Sequence, residues 1–218
     1  MAIIVHHLEN SRSQRVLWLL EELGLPYEVK RYERNKATML APPELRRVHP
    51  LGKSPVIVDT DAGGGADQGQ GRVVAETGAI VEYLVARAGG RLGPPADEEG
   101  ALRYRFFLHY AEGSVMPPLL LLLVLGRIPL IGGRIARRVR PMADRHLDYV
   151  EAELATRPWF AGDELTAADV MMSFPLEAAR SRAGLDASRP HTIAWLDKVH
   201  ARPAYARALE RGGPYAYA

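Results

Sequence analysis

Strand patterns, short apolar runs bounded by turn signals, are confined to residues 2–76 of this 218-residue chain, and that one-sided distribution limits the fold more than any other feature. "AIIVHHL" at the start is a short apolar strand. Val16, Leu19, Leu20 and Leu23 then fall at i, i+3, i+4 and i+7, the pattern of an amphipathic helix. Gly24 and Pro26 stop that helix as a C′ glycine and a following proline do. "YEVKRYE" resumes as a strand, and a strand–helix–strand unit of this length is expected to be parallel and right-handed. After a polar, proline-broken connection, "SPVIVDT" and "GRVVAE" read as two more strands, and a helix beginning at Thr77 closes the pattern as βαβ followed by ββα. The glycine-rich "DAGGGADQGQG" between those strands lacks both the spacing and the strand-to-helix context of a phosphate-binding loop, so it reads as a hairpin loop. "RAGGRLGPPADEEG", rich in glycine and proline, is a linker. Beyond it the strand signal disappears, and helical patterns fill 101–125, 134–155, 167–180 and 190–210. The expected organisation is an α/β domain over 1–86, a linker over 87–100 and an all-helical domain over 101–218.

Composition then removes several function classes. A net charge of +2 is too close to balance for a nucleic-acid binder. The chain has no cysteine, which excludes disulfides, thiolate metal sites and a cysteine nucleophile. "MAIIVHHLEN" has no charged n-region and too short an apolar run for a signal peptide, so a cytoplasmic protein is expected. His6 and His7 are adjacent in a strand and point to opposite faces, and no acidic or histidine partner sits at ligand spacing, so no metal is expected. There is no G-x-S-x-G elbow and no paired-carboxylate arrangement. The run Leu119–Leu125 is far shorter than the roughly 20 residues needed to span a bilayer. It reads as buried helix core, and Arg134, Arg137, Arg138 and Arg140 after it as a solvated helix face, so membrane contact is not expected; peripheral contact through the apolar residues beside these arginines is the alternative.

Three short motifs remain. Glu76-Thr77 stands at a helix start, where backbone N–H groups and the helix dipole favour an anion. Either the pair caps the helix, or it receives a ligand that carries both signs. Ser54-Pro55 opens a strand, as an ordinary trans proline or as a cis bond that aims the Ser54 backbone at a ligand. Thr166 and Asp169 form a capping box, with Leu165 and Val170 as its hydrophobic staple. That box is structural.

Taken together, "SQRVLWLLEELGLPYEV", "PLGKSPVI", "AETGAIVEYL", "WFAGDELTAADVMMSF" and "ARPAY" resemble the glutathione transferases over essentially the whole chain. The resemblance extends to the theta-like bacterial and fungal group similar to yeast's first transferase. It implies a thioredoxin-like N-terminal domain, a helical C-terminal domain carrying an electrophile pocket, a homodimer and a role in detoxification. It also implies glutathione as cosubstrate, no prosthetic group, and a hydrophobic electrophile or an organic peroxide as second substrate. On this resemblance Thr77 and Glu76 would take the carboxylate and ammonium of the γ-glutamyl end. Ser54, held by cis Pro55, would pair with the cysteinyl peptide, and Lys53 would meet the glycyl carboxylate. His109, Tyr110 and Met116 would shape the electrophile pocket, although each suits core packing equally. With no cysteine in the loop "ENSRSQR", the thiol must come from the cosubstrate. Counted without gaps, Asn10 sits where theta-like relatives place an activating serine, and Ser11 follows it; both residue types also serve as helix N-caps. A module of the same fold that binds glutathione without useful catalysis is the alternative.

Overall fold

The computed structural model describes residues 3–62 and 71–217. The predicted hairpin loop therefore lies largely outside the described residues. The chain forms two compact units. One runs through Arg91 and is joined by Arg202–Ala216; the other comprises Leu92–Ala201 with Tyr217.

The first unit carries a four-stranded sheet ordered β2-β1-β3-β4, with β1 at Ile3–Leu8, β2 at Tyr27–Tyr32, β3 at Val56–Asp59 and β4 at Arg72–Ala75. β1 and β2 are parallel, with Ile3 opposite Tyr27, as a βαβ crossover requires. β3 runs antiparallel to β1 and β4 antiparallel to β3. Helices α1 (Ser13–Leu23) and α2 (Thr77–Arg87) belong to this unit. α2 is tied to the sheet through Asp59, a buried carboxylate that accepts from the Tyr83 hydroxyl at 2.6 Å and pairs with Arg87 at 2.8 Å.

Two expectations change here. α1 is not amphipathic in its surroundings: besides Val16, Leu19 and Leu20, Leu17 and Trp18 are fully buried, and Ser13, Gln14 and Arg15 are buried too. A second layer covers its outer face. That layer is α8 (Pro203–Gly212), whose Tyr205 packs edge-on against Trp18 and whose Arg207 pairs with Glu21 at 2.7 Å. The single helical pattern expected over 190–210 is accordingly two helices, α7 (Pro190–His200) and α8, with Pro203 starting the second. Proline cannot continue a helix from the preceding turn but fits the first position of a new one. The break carries the chain from the helical unit back into the first.

The second unit contains α3 (Glu98–Tyr110), α4 (Met116–Leu125), α5 (Gly132–Leu154), α6 (Ala167–Arg182) and α7. The predicted helix over 101–125 is α3 and α4 joined by a π-helical turn at Ala111–Val115. α6 is the core helix, buried continuously from Ala167 to Ala179. Its capping box is present: Asp169 Oδ2 accepts from the Thr166 N–H at 2.9 Å and from its hydroxyl at 3.1 Å, while Oδ1 accepts from the Phe160 N–H at 3.0 Å. Burial pushes the Asp169 carboxyl up to about 6 against those hydrogen bonds. Phe107, Phe160 and Trp195 pack in series, the first pair tilted and the second edge-on, with centroids 4.6 and 5.1 Å apart.

The run Leu119–Leu125 is buried on one face only, which corrects the reading of it as core. Leu119, Leu122 and Leu125 face inward, whereas Leu120, Leu121 and Val124 are exposed. Because α3, the π turn and α4 are continuous, the helix Glu98–Leu125 also becomes long and apolar enough to meet a membrane-span criterion, with mean hydropathy 1.5 in its richest window. Its inner face packs against α5 and α6.

Candidate functional site

Strand register gathers the predicted residues of the first unit. His6 pairs with Val56, and Val56 pairs with Ala75. The C-terminal end of β1, the start of β3 and the end of β4 therefore lie along one edge of the sheet. From that edge emerge Asn10-Ser11, Ser54-Pro55 and Glu76-Thr77, brought together from three separate places in the sequence.

At the first of these, Asn10 has a left-handed φ of 49°, a conformation asparagine tolerates better than most residues. Its Oδ1 accepts the Ala216 N–H at 2.7 Å. That bond fixes the amide orientation, so Nδ2 is left as a donor with no partner among the described residues. The loop is held from outside by Arg34, which donates to the carbonyls of Glu9 at 3.2 Å and Asn10 at 3.3 Å. Ser11 is arranged differently. It is buried, and its hydroxyl donates to the Leu8 carbonyl at 2.7 Å and lies 2.8 Å from Ser13 Oγ. Behind it His7 is buried with its ring bonded to the Gly212 carbonyl, which leaves Nδ1 to accept from Ser13 Oγ at 2.9 Å. Burial, reinforced by Arg31, lowers the His7 pKa to about 4, so the ring is neutral at physiological pH. The N-cap residue of α1 is Arg12, which makes no side-chain cap, while Ser11 Oγ accepts the N–H of Ser13, the first residue of the helix, at 3.2 Å.

The second segment has a cis Ser54-Pro55 bond. Ser54 Oγ donates to the His6 carbonyl at 2.8 Å and accepts from the Leu8 N–H at 3.2 Å, a side chain standing where a further ladder pair would be. The Ser54 backbone N–H and C=O have no partner among the described residues. Lys53 beside it is exposed.

At the third, Glu76 adopts φ 69° and ψ 127°, a region that L-residues occupy only at a cost. It is exposed, makes no capping hydrogen bond, and its carboxylate has no partner among the described residues. The Thr77 hydroxyl has none either, and the first turn of α2 is uncapped. The simple capping reading of this pair is therefore not what the structure shows.

The remaining predicted residues lie on the helical unit. His109 is exposed at the end of α3. The Tyr110 hydroxyl is hydrogen-bonded with His146 Nδ1 at 2.6 Å, and burial pushes its pKa up to about 12, so it does not ionise near neutrality. Met116 is buried among the core residues of α4. Among the described residues no three histidine or acidic side chains converge as a metal site would require.

Comparison with known proteins bears on the whole chain. A family model for the glutathione S-transferase N-terminal domain matches residues 11–87, and one for the C-terminal domain matches 134–203. Glutathione S-transferase 3 of Schizosaccharomyces pombe is 34% identical over 223 residues, which cover 96% of this chain and 87% of that protein. The chain belongs to the glutathione S-transferase family. Glutathione S-transferase 1 of Saccharomyces cerevisiae is 32% identical, with 96% of this chain and 94% of that protein covered. Among solved structures of the family, a glutathione S-transferase from Actinobacillus pleuropneumoniae matches with a TM-score of 0.84 at 33% identity, over 99% of this chain and 95% of its own. A transferase family member from Pseudomonas fluorescens, solved with two glutathione bound, matches with a TM-score of 0.80 at 26% identity over 96% and 92%. The thioredoxin-like and helical domains expected from sequence are those of this transferase fold.

Sequence reasoning missed three contributors to the site edge. Arg34 and Ala216 hold the Asn10 loop across long sequence separations and through backbone atoms, and the His7–Ser13 pair supports it from behind through a side-chain bond six residues apart. No local motif marks them.

Proposed function

We propose that the protein is a glutathione transferase that binds glutathione along the edge formed by Asn10, Ser54 and Glu76-Thr77, and presents its thiolate to a hydrophobic electrophile or an organic peroxide. One observation carries this reading. Along a single sheet edge the protein holds a carboxylate, an uncapped helix start, a backbone amide and a side-chain amide donor that have no partner among the described residues, in a chain that has no thiol of its own. A tripeptide with a zwitterionic end and a thiol complements that set.

In this arrangement the γ-glutamyl carboxylate sits on the Thr77 N–H and hydroxyl, and its ammonium on Glu76. Charge-assisted hydrogen bonds of about 1.5–3 kcal/mol each make that end the anchor. The cysteinyl peptide pairs with the Ser54 backbone, and Lys53 meets the glycyl carboxylate. A thiol of pKa about 8.5 is only a few per cent ionised at neutrality, and lowering it by about 2 units takes about 2.7 kcal/mol of selective thiolate stabilisation. Asn10 Nδ2, with the dipole of α1, supplies a donor for that anion. Ser11 is the weaker choice of the two because its proton is committed to the Leu8 carbonyl. The thiolate sulfur then forms the new bond to the electrophilic carbon as the leaving group departs with its electron pair; with a hydroperoxide it attacks the terminal oxygen, the O–O bond breaks, the alcohol leaves with a proton, and a second glutathione displaces water from the resulting sulfenic acid to give glutathione disulfide. The protein contributes position and electrostatics.

The electrophile is taken by the helical unit, where His109 and Tyr110 offer a mixed polar and aromatic surface backed by Met116. The active species is a cytoplasmic homodimer, consistent with exposed Leu102, Phe106 and Met142 on α3 and α5. The test is glutathione-dependent turnover of a panel of aryl halides and hydroperoxides, with the absorbance of bound thiolate titrated against pH. Asn10→Ala is expected to raise the bound thiol pKa by roughly one unit, since a single hydrogen bond to an anion can supply 1.36 kcal/mol. Ser11→Ala is expected to do less. Binding without turnover, with a thiol that titrates as free glutathione does, would leave a binding module and refute the enzymatic reading.

A further inference from the structure

The α4–α5 hairpin end is unlike the rest of the surface. Leu120, Leu121, Val124, Ile128, Leu130, Ile131 and Ile135 are all exposed there, and Leu130 at the apex is fully so. Between Glu112 and Asp144 the chain has five arginines and no acidic residue, so a protein of net charge +2 concentrates more than its whole excess of positive charge in this segment. Arg127, Arg134, Arg137 and Arg138 are exposed, and their side chains make no ion pair or hydrogen bond among the described residues. Behind the tip a groove of about 510 Å³ is lined by Arg127, Arg137, Arg140 and Arg182 together with Leu122 and Leu123.

We infer that this hairpin end is a reversible docking site for an anionic membrane surface, with the aliphatic tip entering the headgroup–acyl boundary and the arginines meeting lipid phosphates. The chemistry selects that occupant over others. The exposed apolar residues of the tip are all aliphatic, with none of the aromatic anchors that dominate protein–protein hot spots or stack on nucleic-acid bases. A fully exposed leucine at an apex has no rigid complement to fill, but it can enter a deformable fluid surface. Arginines flanking such a tip bury their stems and keep their charge at headgroup level. The unpaired positive charge complements anionic lipid, whereas zwitterionic lipid offers it no net field. The helix Glu98–Leu125 does not span in this arrangement, because its inner face is packed against α5 and α6.

The experiment is co-sedimentation of the full-length protein with vesicles of phosphatidylcholine alone and of phosphatidylcholine mixed with phosphatidylglycerol. Binding is expected only to the anionic vesicles and is expected to weaken as salt is raised. Each arginine near an anionic surface is worth about a fivefold change in partitioning, so Arg134→Gln/Arg137→Gln/Arg138→Gln is expected to reduce it on the order of 100-fold. Leu130→Asp/Ile131→Asp, at exposed positions, is expected to abolish binding while circular dichroism and glutathione-dependent turnover stay unchanged. Absence of binding to anionic vesicles overturns the inference. So does equal binding to both vesicle types, or a fall in sedimentation mass of the Leu130→Asp/Ile131→Asp protein, which would make the tip a contact between copies.

Discussion

Replacing Glu76 with glycine separates stability from binding at one residue. Glu76 sits at φ 69°, ψ 127°, and its carboxylate touches no protein group among the described residues, so the fold gains nothing visible from either feature. A non-glycine residue in such a region costs about 1–3 kcal/mol. Glycine adopts the conformation freely but returns about 0.5–1 kcal/mol through its greater freedom in the unfolded chain. The net expectation is a stability gain of about 1 kcal/mol, which for a chain of this size raises Tm by about 2–4 °C. The same substitution removes the only acidic group proposed for the ammonium of glutathione. Loss of one charge-assisted contact of about 1.5–3 kcal/mol weakens binding at least about tenfold. Thermal unfolding without ligand gives the first number and titration calorimetry the second. Glu76→Ala shares the loss of binding without the relief of strain, so it serves as the control. An unchanged dissociation constant in both variants would show that Glu76 does not hold the ligand, and a lower Tm for Glu76→Gly would show that the backbone there is not strained.

Buried His7 sets an acid limit on stability. With His7 near 4 in the folded protein and near 6.5 unfolded, the unfolded chain takes up a proton first, so this group's contribution is intact above about pH 6.5 and is lost as pH falls toward 4. Asp169, raised to about 6, works the other way because its native form protonates first, so the measurement is the difference between wild type and His7→Gln. Urea denaturation is expected to show about 2 kcal/mol less acid destabilisation in the variant between about pH 7 and 5. Gln14 is buried with both amide atoms unpartnered among the described residues, so Gln14→Leu is expected to raise stability by about 1–3 kcal/mol, and a lower denaturation midpoint would contradict that. Asp169→Ala strands the N–H groups of Phe160 and Thr166 and the Thr166 hydroxyl, and is expected to cost about 3–5 kcal/mol in the same assay.

Local chemistry in the sequence was sufficient for most of the architecture. Apolar period, glycine and proline stops, and the Thr166–Asp169 box specify strands, helices and caps through atoms within a turn or two of each other. The division into a sheet-bearing part and a helical part follows from where the strand signal ends. The residues of the site edge were legible for a related reason. Glu76-Thr77 and Ser54-Pro55 each announce themselves by an unusual residue pair at an element boundary.

Tertiary structure decided what depends on distant neighbours. The apolar stripe on α1 gave no sign that α8 returns from the far end of the chain to bury the opposite face, because that burial is settled by Trp18 meeting Tyr205 and by Arg207 meeting Glu21. The same limit applies to α4, where seven consecutive apolar residues look alike in sequence and only packing against α5 and α6 separates the inner leucines from the exposed ones. Asn10 and Ser11 were indistinguishable as donors until the Leu8 carbonyl claimed one proton and the Ala216 N–H oriented the other side chain. Hydrogen bonds are short and directional, so which of two adjacent polar residues stays free is fixed by backbone atoms that the sequence brings near only after folding.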